Sequence, residues 1–479
     1  MNVNVLTMHH QALLIMVVTA LISRTGGVCY FSQEQQGVYL TQSVVLNIGE
    51  SGGSSSSSVQ YLELTVLPDA IPVWGYCHKR LGNNVLLYDN TGGTDCVRCF
   101  HLSVRSPHVL EVHTESLDIC YTNEDAALAT CPTREHIRSR TTREIMLYKT
   151  ARLTGPPSPT VYCPINGRFR FTYNNQEDGT ETISECAAPS SRLSNCPSGN
   201  VLTLQFRQCS FQDFDKVFDC LGDWQGSDGQ RYLALRDSME QNSTGSPQYR
   251  CAMYSIEKET GRVYLSLSSD STCTNKLSHP WQGYETLVLD PIALPPPPVT
   301  VSSSSCKFPP WSLGQWEQVK MHSNELSYTD LESYKTYKVV CLDATDAHDD
   351  KALAVGILPV FAQSQCGEEA FTCLSVQERS SNVMEFQMST EGQLSYQPGM
   401  CNSPSTRGWG PWLTQGRLDR FRQSACPVAG EYTGALPDAP SLCAKLYSDC
   451  NNPEIMFYTV YSCANRSEVF EDREYRCLG

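Results

Sequence analysis

Apolar and polar residues alternate with a period of two through much of the chain. Phe169, Phe171 and Tyr173 interleave with Arg168, Arg170 and Thr172. Leu202, Leu204 and Phe206 do so with Thr203, Gln205 and Arg207, and Val263, Leu265 and Leu267 with Tyr264, Ser266 and Ser268. The beat recurs at Met384, Phe386 and Met388 and at Leu110 and Val112. Successive side chains of a strand point to opposite faces, so this pattern predicts antiparallel strands with one buried face. Helical periodicity is weak, and residues 351–361 (KALAVGILPVF) are the one ambiguous apolar run. Strands joined by short turns predict an all-β fold of barrels or sandwiches. The Gly314-Gln315-Trp316 opening is also how lipocalin-like barrels begin, an analogy of fold alone.

Low-complexity segments punctuate the strands. Residues 49–58 (GESGGSSSSS) read as a flexible insert, and residues 155–160 and 294–305 as stiff Pro-rich spacers between domains. Phrases opening on Cys29, Cys163, Cys306 and Cys426 each run from Cys through a few residues to Gly-x-aromatic, at spacings of 134, 143 and 120 residues. That is the mark of tandem copies of one module. Cys163, Cys186, Cys196, Cys209 and Cys220 are matched by Cys426, Cys443, Cys450, Cys463 and Cys477, and both series end in Cys-Leu-Gly. The organisation expected is a signal peptide at 1–27 and β modules at 28–153, 161–293, 306–404 and 426–479. The last is read as incomplete: a half-module or, the reading favoured, a chain cut short.

The cysteine count changes the picture most. Twenty-three cysteines are far more than a reducing compartment tolerates, so disulfides and an exported chain are expected. Modules one to four hold 6, 7, 5 and 5 of them. The odd total requires a free thiol, an intermolecular bridge or a missing partner; for module four the missing groups would be equivalents of Cys251 and Cys273. Ala12 to Ile22 is an apolar run too short to span a bilayer, followed by Gly26 and Gly27, as in a signal peptide. No later run is long and apolar enough for a membrane helix. The location expected is extracellular or the lumen of the secretory and endolysosomal system. A net charge of -15 argues against nucleic acid or anionic membrane as the main partner.

The phrases CKFPPWSLGQW, CPINGRFRFTY, VFDCLGDWQG with QRYLAL, and YRCAMYSIEK with LSLSSDSTC resemble a group of uncharacterised Cys-rich secretory-pathway proteins of insects and other invertebrates. These are built from several adjacent domains of unknown function, and the resemblance covers nearly the whole mature chain. It implies an exported multi-module protein with an association with lysosomal or autophagic membrane traffic. Module one departs from the pattern, with Ser32 to Gln36 where Pro and Trp usually stand. Members often continue to a C-terminal anchor, so a membrane-anchored relative or longer isoform belongs to the picture.

Candidate chemistry is sparse. Gly49-Glu50-Ser51-Gly52-Gly53 fits the nucleophile elbow GxSxG, but a Ser run follows where a helix should start, and it reads as linker. Cys96-Val97-Arg98-Cys99 lacks a second CxxC for zinc and reads as two separate disulfides. Asp343, Asp346, His348, Asp349 and Asp350 lack the spacing of a calcium loop and read as a solvated turn. His101, His108 and His113 have no nucleophile near them; His113 shares a strand face with Val109 and Glu111, and His101 lies on another run. They are expected to be surface or structural, able to sense pH below about 6.5. Arg134, Arg138, Arg140, Arg143, Lys149 and Arg152 make a basic stretch, expected as a solvated inter-module segment and alternatively as a site for acidic glycans or headgroups. Asn242 and Asn465 head glycosylation sequons.

No catalytic, metal or cofactor residue is assigned. The cysteines of modules two and four (Cys163, Cys186, Cys196, Cys209, Cys220, Cys251, Cys273, Cys426, Cys443, Cys450, Cys463 and Cys477) are expected to be structural. The function expected is a non-enzymatic secreted or lumenal glycoprotein, in binding, adhesion or endolysosomal traffic, with an unknown protein or lipid partner. The alternatives are a carrier of lipid or another hydrophobic ligand in its barrels, and a secreted hydrolase resting on Ser51.

Overall fold

The protein is described by a computed structural model covering residues 29–49, 55–176, 183–239, 247–343, 356–401, 408–437, 439–448, 451–467 and 469–479. The signal-peptide segment, Ser51, Asn242, Asp346, His348, Asp349, Asp350 and Cys450 lie outside these residues. No described helix is long and apolar enough to cross a membrane.

Each of the first three modules is a meander of eight antiparallel strands rolled around an apolar core, so barrel rather than sandwich is the architecture. In module two the strands Arg168–Gln176, Ile183–Ser194, Val201–Phe206, Phe214–Gln225, Arg231–Asp237, Tyr249–Ile256, Val263–Leu267 and Glu285–Pro291 close into a full barrel, the eighth pairing with the first. Module one (Gly37–Gly49, Ser55–Val66, Ala70–Ile71, Gly75–Leu81, Asn84–Asp89, Cys96–Ser106, Val109–Thr114 and Arg143–Ala151) also pairs its first strand with its eighth but is open between the second and third. Module three (Gly314–Gln315, Val319–Met321, Glu325–Asp330, Lys335–Cys341, Ile357–Ser364, Glu369–Ser380, Val383–Met388 and Leu413–Gly416) keeps strict sequence order. Its first and last strands touch through the Trp316–Arg417 bridge, and its last strand lies past residue 404. Module four is a four-stranded sheet, Glu431–Leu436, Ala439–Ser448, Ile455–Ser462 and Val469–Arg476.

The period-two residues do what the pattern requires. Phe169, Phe171, Leu202, Leu204, Phe206, Val263, Leu265 and Leu267 all face the interior of module two. Each contributes about 1.5–3 kcal/mol by leaving water. Leu110 and Val112 serve module one, and Met384 and Phe386 module three. The Gly-x-aromatic phrases open strand one every time. Gly37, Gly167, Gly314 and Gly430 have φ of 151°, 113°, 129° and 105°, a region that L side chains rarely adopt. At Gly314 a Cβ would also lie 2.6 Å from the Asp419 carboxylate that accepts the Gln315 N–H. The aromatic two residues on is buried at Tyr39, Phe169 and Trp316, whereas Tyr432 of module four is 55% exposed.

The disulfides follow the strand count rather than the residue spacing. The opening cysteine of every module reaches strand four or its end: Cys29–Cys77, Cys163–Cys220, Cys306–Cys341 and Cys426–Cys477. In the three eight-stranded modules strand six is tied to the segment between strands seven and eight, by Cys99–Cys131, Cys251–Cys273 and Cys373–Cys401. Modules two and four add Cys186–Cys209 and Cys443–Cys463. Cys96 bonds Cys120, so the CxxC serves two separate disulfides. Cys251 and Cys273 pair with each other, so equivalents of them would not supply the partner expected for the odd cysteine of module four. Cys196 crosses to module three and bonds Cys366.

The segments read as linkers are largely built into the fold. Ser55 to Ser58 begin strand two of module one rather than a flexible insert, paired with Gly49 to Leu46. The spacer at 294–305 forms a short helix, Val299–Ser302, whose Val301 packs with Val340, Leu342 and Phe361 of module three. Modules one and two share a core of Val109, Met146, Tyr148, Trp224, Tyr232, Ala234, Tyr249 and Met253. One contact recurs between modules. Ser106 Oγ, at the end of strand six in module one, donates to the Leu221 carbonyl at 2.6 Å, and Ser380 Oγ, at the end of strand six in module three, donates to the Leu478 carbonyl at 3.0 Å. Both acceptors are the Leu of a Cys-Leu-Gly phrase.

Two outcomes follow. Peptide mapping without reduction is expected to recover Cys196 linked to Cys366, and Cys366→Ser to let limited proteolysis separate modules one and two from three and four. Gly314→Ala should destabilise module three by about 1–3 kcal/mol through its left-handed backbone, read as a lower midpoint in thermal unfolding.

Candidate binding site

Loop length decides where an eight-stranded barrel has room inside. Such a barrel is just wide enough for its own side chains, so a cavity survives only where an end is left uncovered. In module two the seven-residue connection between strands three and four, 207–213, is pinned by Cys186–Cys209. It folds Phe211 over the barrel end, against Tyr173, Phe206 and Phe214, with ring centroids 4.5–5.9 Å apart in this group. In module three the matching connection is a tight turn, 331–334, with no aromatic plug and no such disulfide. The same end of the barrel is therefore open, leaving a cavity of about 460 Å³.

Six strands contribute to this cavity. Tyr328, Tyr337, Ala362, Thr372, Phe386 and Leu413 point inward from strands three to eight, and Met388 stands at the mouth. Phe386 meets the Tyr328 ring edge-on at 4.9 Å, and Tyr328 stacks with its cross-strand partner Tyr337 at 6.4 Å. These rings are continuous with the module core, so the floor is held rigidly.

Among the described residues the rim is acidic. Asp330, Glu332, Glu368 and Glu369 border the mouth, and Lys335 beside it is tied to Glu368 at 2.5 Å. That hydrogen bond holds the Glu368 carboxyl below the usual range. Glu369 accepts from Gln363 Nε2 at 2.7 Å, and Asp330 from the Glu332 backbone N–H at 3.0 Å. Burial, with Asp330 adjacent, raises the Tyr328 phenol well above its ordinary value, so it remains a neutral donor. The arrangement suits a molecule with an apolar body and a cationic end.

The residues singled out by sequence lie elsewhere. Asp343 is held by Ser305 through its backbone N–H and hydroxyl, both at 2.9 Å, and has no part in the mouth. His101 and His113 lie on different strands, as expected, and pairing makes them direct cross-strand partners, with His113 in turn facing Glu144. Burial lowers His101 to about 4, so it stays neutral near pH 6.5, and burial lowers His108 as well. The basic stretch is no single solvated face. Arg134–Arg138 is a short helix, and Arg140 donates to the Leu277 carbonyl of module two at 2.7 Å. Lys149 lies over the Tyr39 ring and is lowered to about 8 by burial. Asn465 is exposed, its side chain accepting from Ser467.

Comparison with known families finds four adjacent matches along the chain. Models described as Domain of unknown function match residues 27–136 (DUF7044), 159–291 (DUF7042), 302–414 (DUF7043) and 426–479 (DUF7045). The chain is a tandem of four such domains. No curated protein matches it. Among solved structures, the crystal structure of the tricorn protease aligns at 7% identity with a TM-score of 0.10, covering 94% of this chain and 49% of that one. The chain thus spans about half the length of that structure, and the likeness carries no argument.

Sequence reasoning missed the cavity because its residues are scattered from Tyr328 to Leu413. The legible signal was the shortened turn between strands three and four, where module two has Phe211 and Cys209 and module three has neither.

Proposed function

We propose that this chain is a non-enzymatic, exported binding protein, stapled by disulfides, whose third module takes a hydrophobic ligand carrying a cationic group. The observation that carries the reading is the uncovered end of module three, with its aromatic floor and acidic rim. Its volume falls in the range of ordinary small-molecule sites, and the plugged second module supplies a built-in contrast. The disulfides support export to the extracellular space or the lumen of the secretory and endolysosomal system. Exposed Asn465 is the acceptor for a glycan in that compartment. In this reading modules one, two and four form the scaffold that presents the mouth.

The test is a fluorescence titration of the purified full chain with a dansylated long-chain alkylamine, alongside the uncharged amide of the same length. The amine should bind saturably, one per chain, and the amide about tenfold more weakly, the equivalent of about 1.4 kcal/mol. Ala370→Trp, which fills the mouth, should abolish binding without lowering the thermal midpoint by more than a few degrees. The double change Glu332→Gln and Glu369→Gln should erase the preference for the amine. Binding that survives Ala370→Trp would place the ligand elsewhere and reject the reading.

A further inference from the structure

Strand seven of module one carries Glu111 and His113 on one face, and His113 stands directly opposite Glu144 on strand eight. That face turns away from the core residues Leu110 and Val112 and is covered by module two. Glu111, His113 and Glu144 each bring one donor atom within 4.8 Å of the others. His113 is 4% exposed and Glu111 6%.

Each side chain is already aimed. Glu111 Oε2 accepts from Arg105 Nε at 2.6 Å, leaving Oε1 turned toward His113. Glu144 Oε2 accepts from the Cys273 backbone N–H of module two at 2.6 Å. His113 Nδ1 lies 3.3 Å from the Thr142 hydroxyl. Its Nε2 is buried without a hydrogen-bond partner, 3.4 Å from Glu111 Oε1. In the tautomer whose Nδ1–H donates to Thr142, Nε2 presents a lone pair to a carboxylate oxygen, an arrangement that repels unless a cation lies between. A separation of 3.4 Å is longer than an ordinary N–H···O bond. It matches the gap of about 3.3 Å between two donors around a tetrahedral zinc at about 2.0–2.2 Å. Contacts from the other ring nitrogen and the other carboxylate oxygen are how metal ligands are usually held.

Module three shows which parts are architecture. Arg105-Ser106-x-x-Val109-x-Glu111-x-His113 recurs as Arg379-Ser380-x-x-Val383-x-Glu385-x-Gln387, and Arg379 again binds Glu385, at 2.5 Å. The ion pair belongs to the module; the histidine does not. Of the other charged groups lining this pocket, Arg138, Arg140 and Asp228, Arg140 is spent on the Leu277 carbonyl and the Tyr232 hydroxyl, and Asp228 accepts from the Tyr232 hydroxyl at 2.7 Å.

The geometry points to a zinc-type divalent cation site formed by Glu111 Oε1, His113 Nε2 and a Glu144 carboxylate oxygen beneath the contact between modules one and two. A metal there bridges strands seven and eight and neutralises two carboxylates that module two has covered. The role is structural, separate from the mouth of module three.

The experiment uses the purified full chain stripped with chelator, then equilibrated with micromolar Zn²⁺ or Co²⁺. Metal analysis should find one equivalent more in the wild type than in His113→Gln, which copies module three, or in the isosteric Glu144→Gln. The Co²⁺ protein should show visible bands of four- or five-coordinate cobalt that both variants lack. Zn²⁺ should raise the thermal midpoint of the wild type and leave the variants unchanged. Equal metal in wild type and His113→Gln overturns the assignment, as does uptake of Ca²⁺ in preference to Zn²⁺. If both variants fail to fold, the wild type decides alone: less than one equivalent of zinc rejects the site.

Discussion

A disulfide from the cysteine ahead of strand one to strand four recurs in all four modules, closing separations of 48, 57, 35 and 51 residues. In the chain-entropy account each is worth about 4 kcal/mol, by limiting the unfolded chain. The need is structural. Backbone pairing closes the barrel fully in module two, whereas module one is open along one seam, module three is closed there only by the short Trp316–Arg417 bridge, and module four has only four strands. A rolled sheet with an unpaired seam loses hydrogen bonds that a closed barrel keeps. The strap fixes the first four strands as a unit, and in modules one to three the strand-six disulfide does the same for the second half.

Once the frame is held this way, the ends of the barrels are free to differ. Module two uses one more cross-link to hold an aromatic plug, whereas module three uses a short turn and keeps an open mouth. A cross-link in one module removes a cavity and its absence in another creates one, although the strand pattern is shared. The acidic rim then follows from which residues occupy the loop tips, a choice the core does not constrain.

The modules also associate in a repeated way. A Ser at the end of strand six meets the Cys-Leu-Gly phrase of the next module, between one and two and again between three and four. Between two and three a different device serves, the Cys196–Cys366 bond with Tyr162 hydrogen-bonded to Thr336 at 2.6 Å. The spacers are short enough, and apolar enough at Val301, to be absorbed into these contacts. Burying strands seven and eight of module one beneath module two also buries Glu111, His113 and Glu144, which is costly for charged groups unless something compensates them.

By itself the sequence determined the strands, the modules and the oxidised cysteines. Alternation at Phe169 to Tyr173 or Val263 to Leu267 is a local property of the pleat, and the Gly-x-aromatic phrase needs only its own turn, so both can be seen in a single stretch of chain. The split of Cys96 and Cys99 between two disulfides followed from the lack of other ligands nearby. Tertiary structure alone decided the rest. Register placed His101, His113 and Glu144 in one row, and a one-residue slip would have scattered them across two faces. Packing turned a Pro-rich spacer and a Ser-rich stretch into ordered elements, because module three offered the spacer apolar surface and strand one of module one offered Ser55 to Ser58 an edge to pair with. The phrase shared by Arg105 and Arg379 is 274 residues apart and differs at His113, so its meaning emerged only when both copies were seen to dock the next module. Whether a barrel is filled or open depended on residues far apart in the chain meeting at one rim, a volume balance that no local pattern encodes.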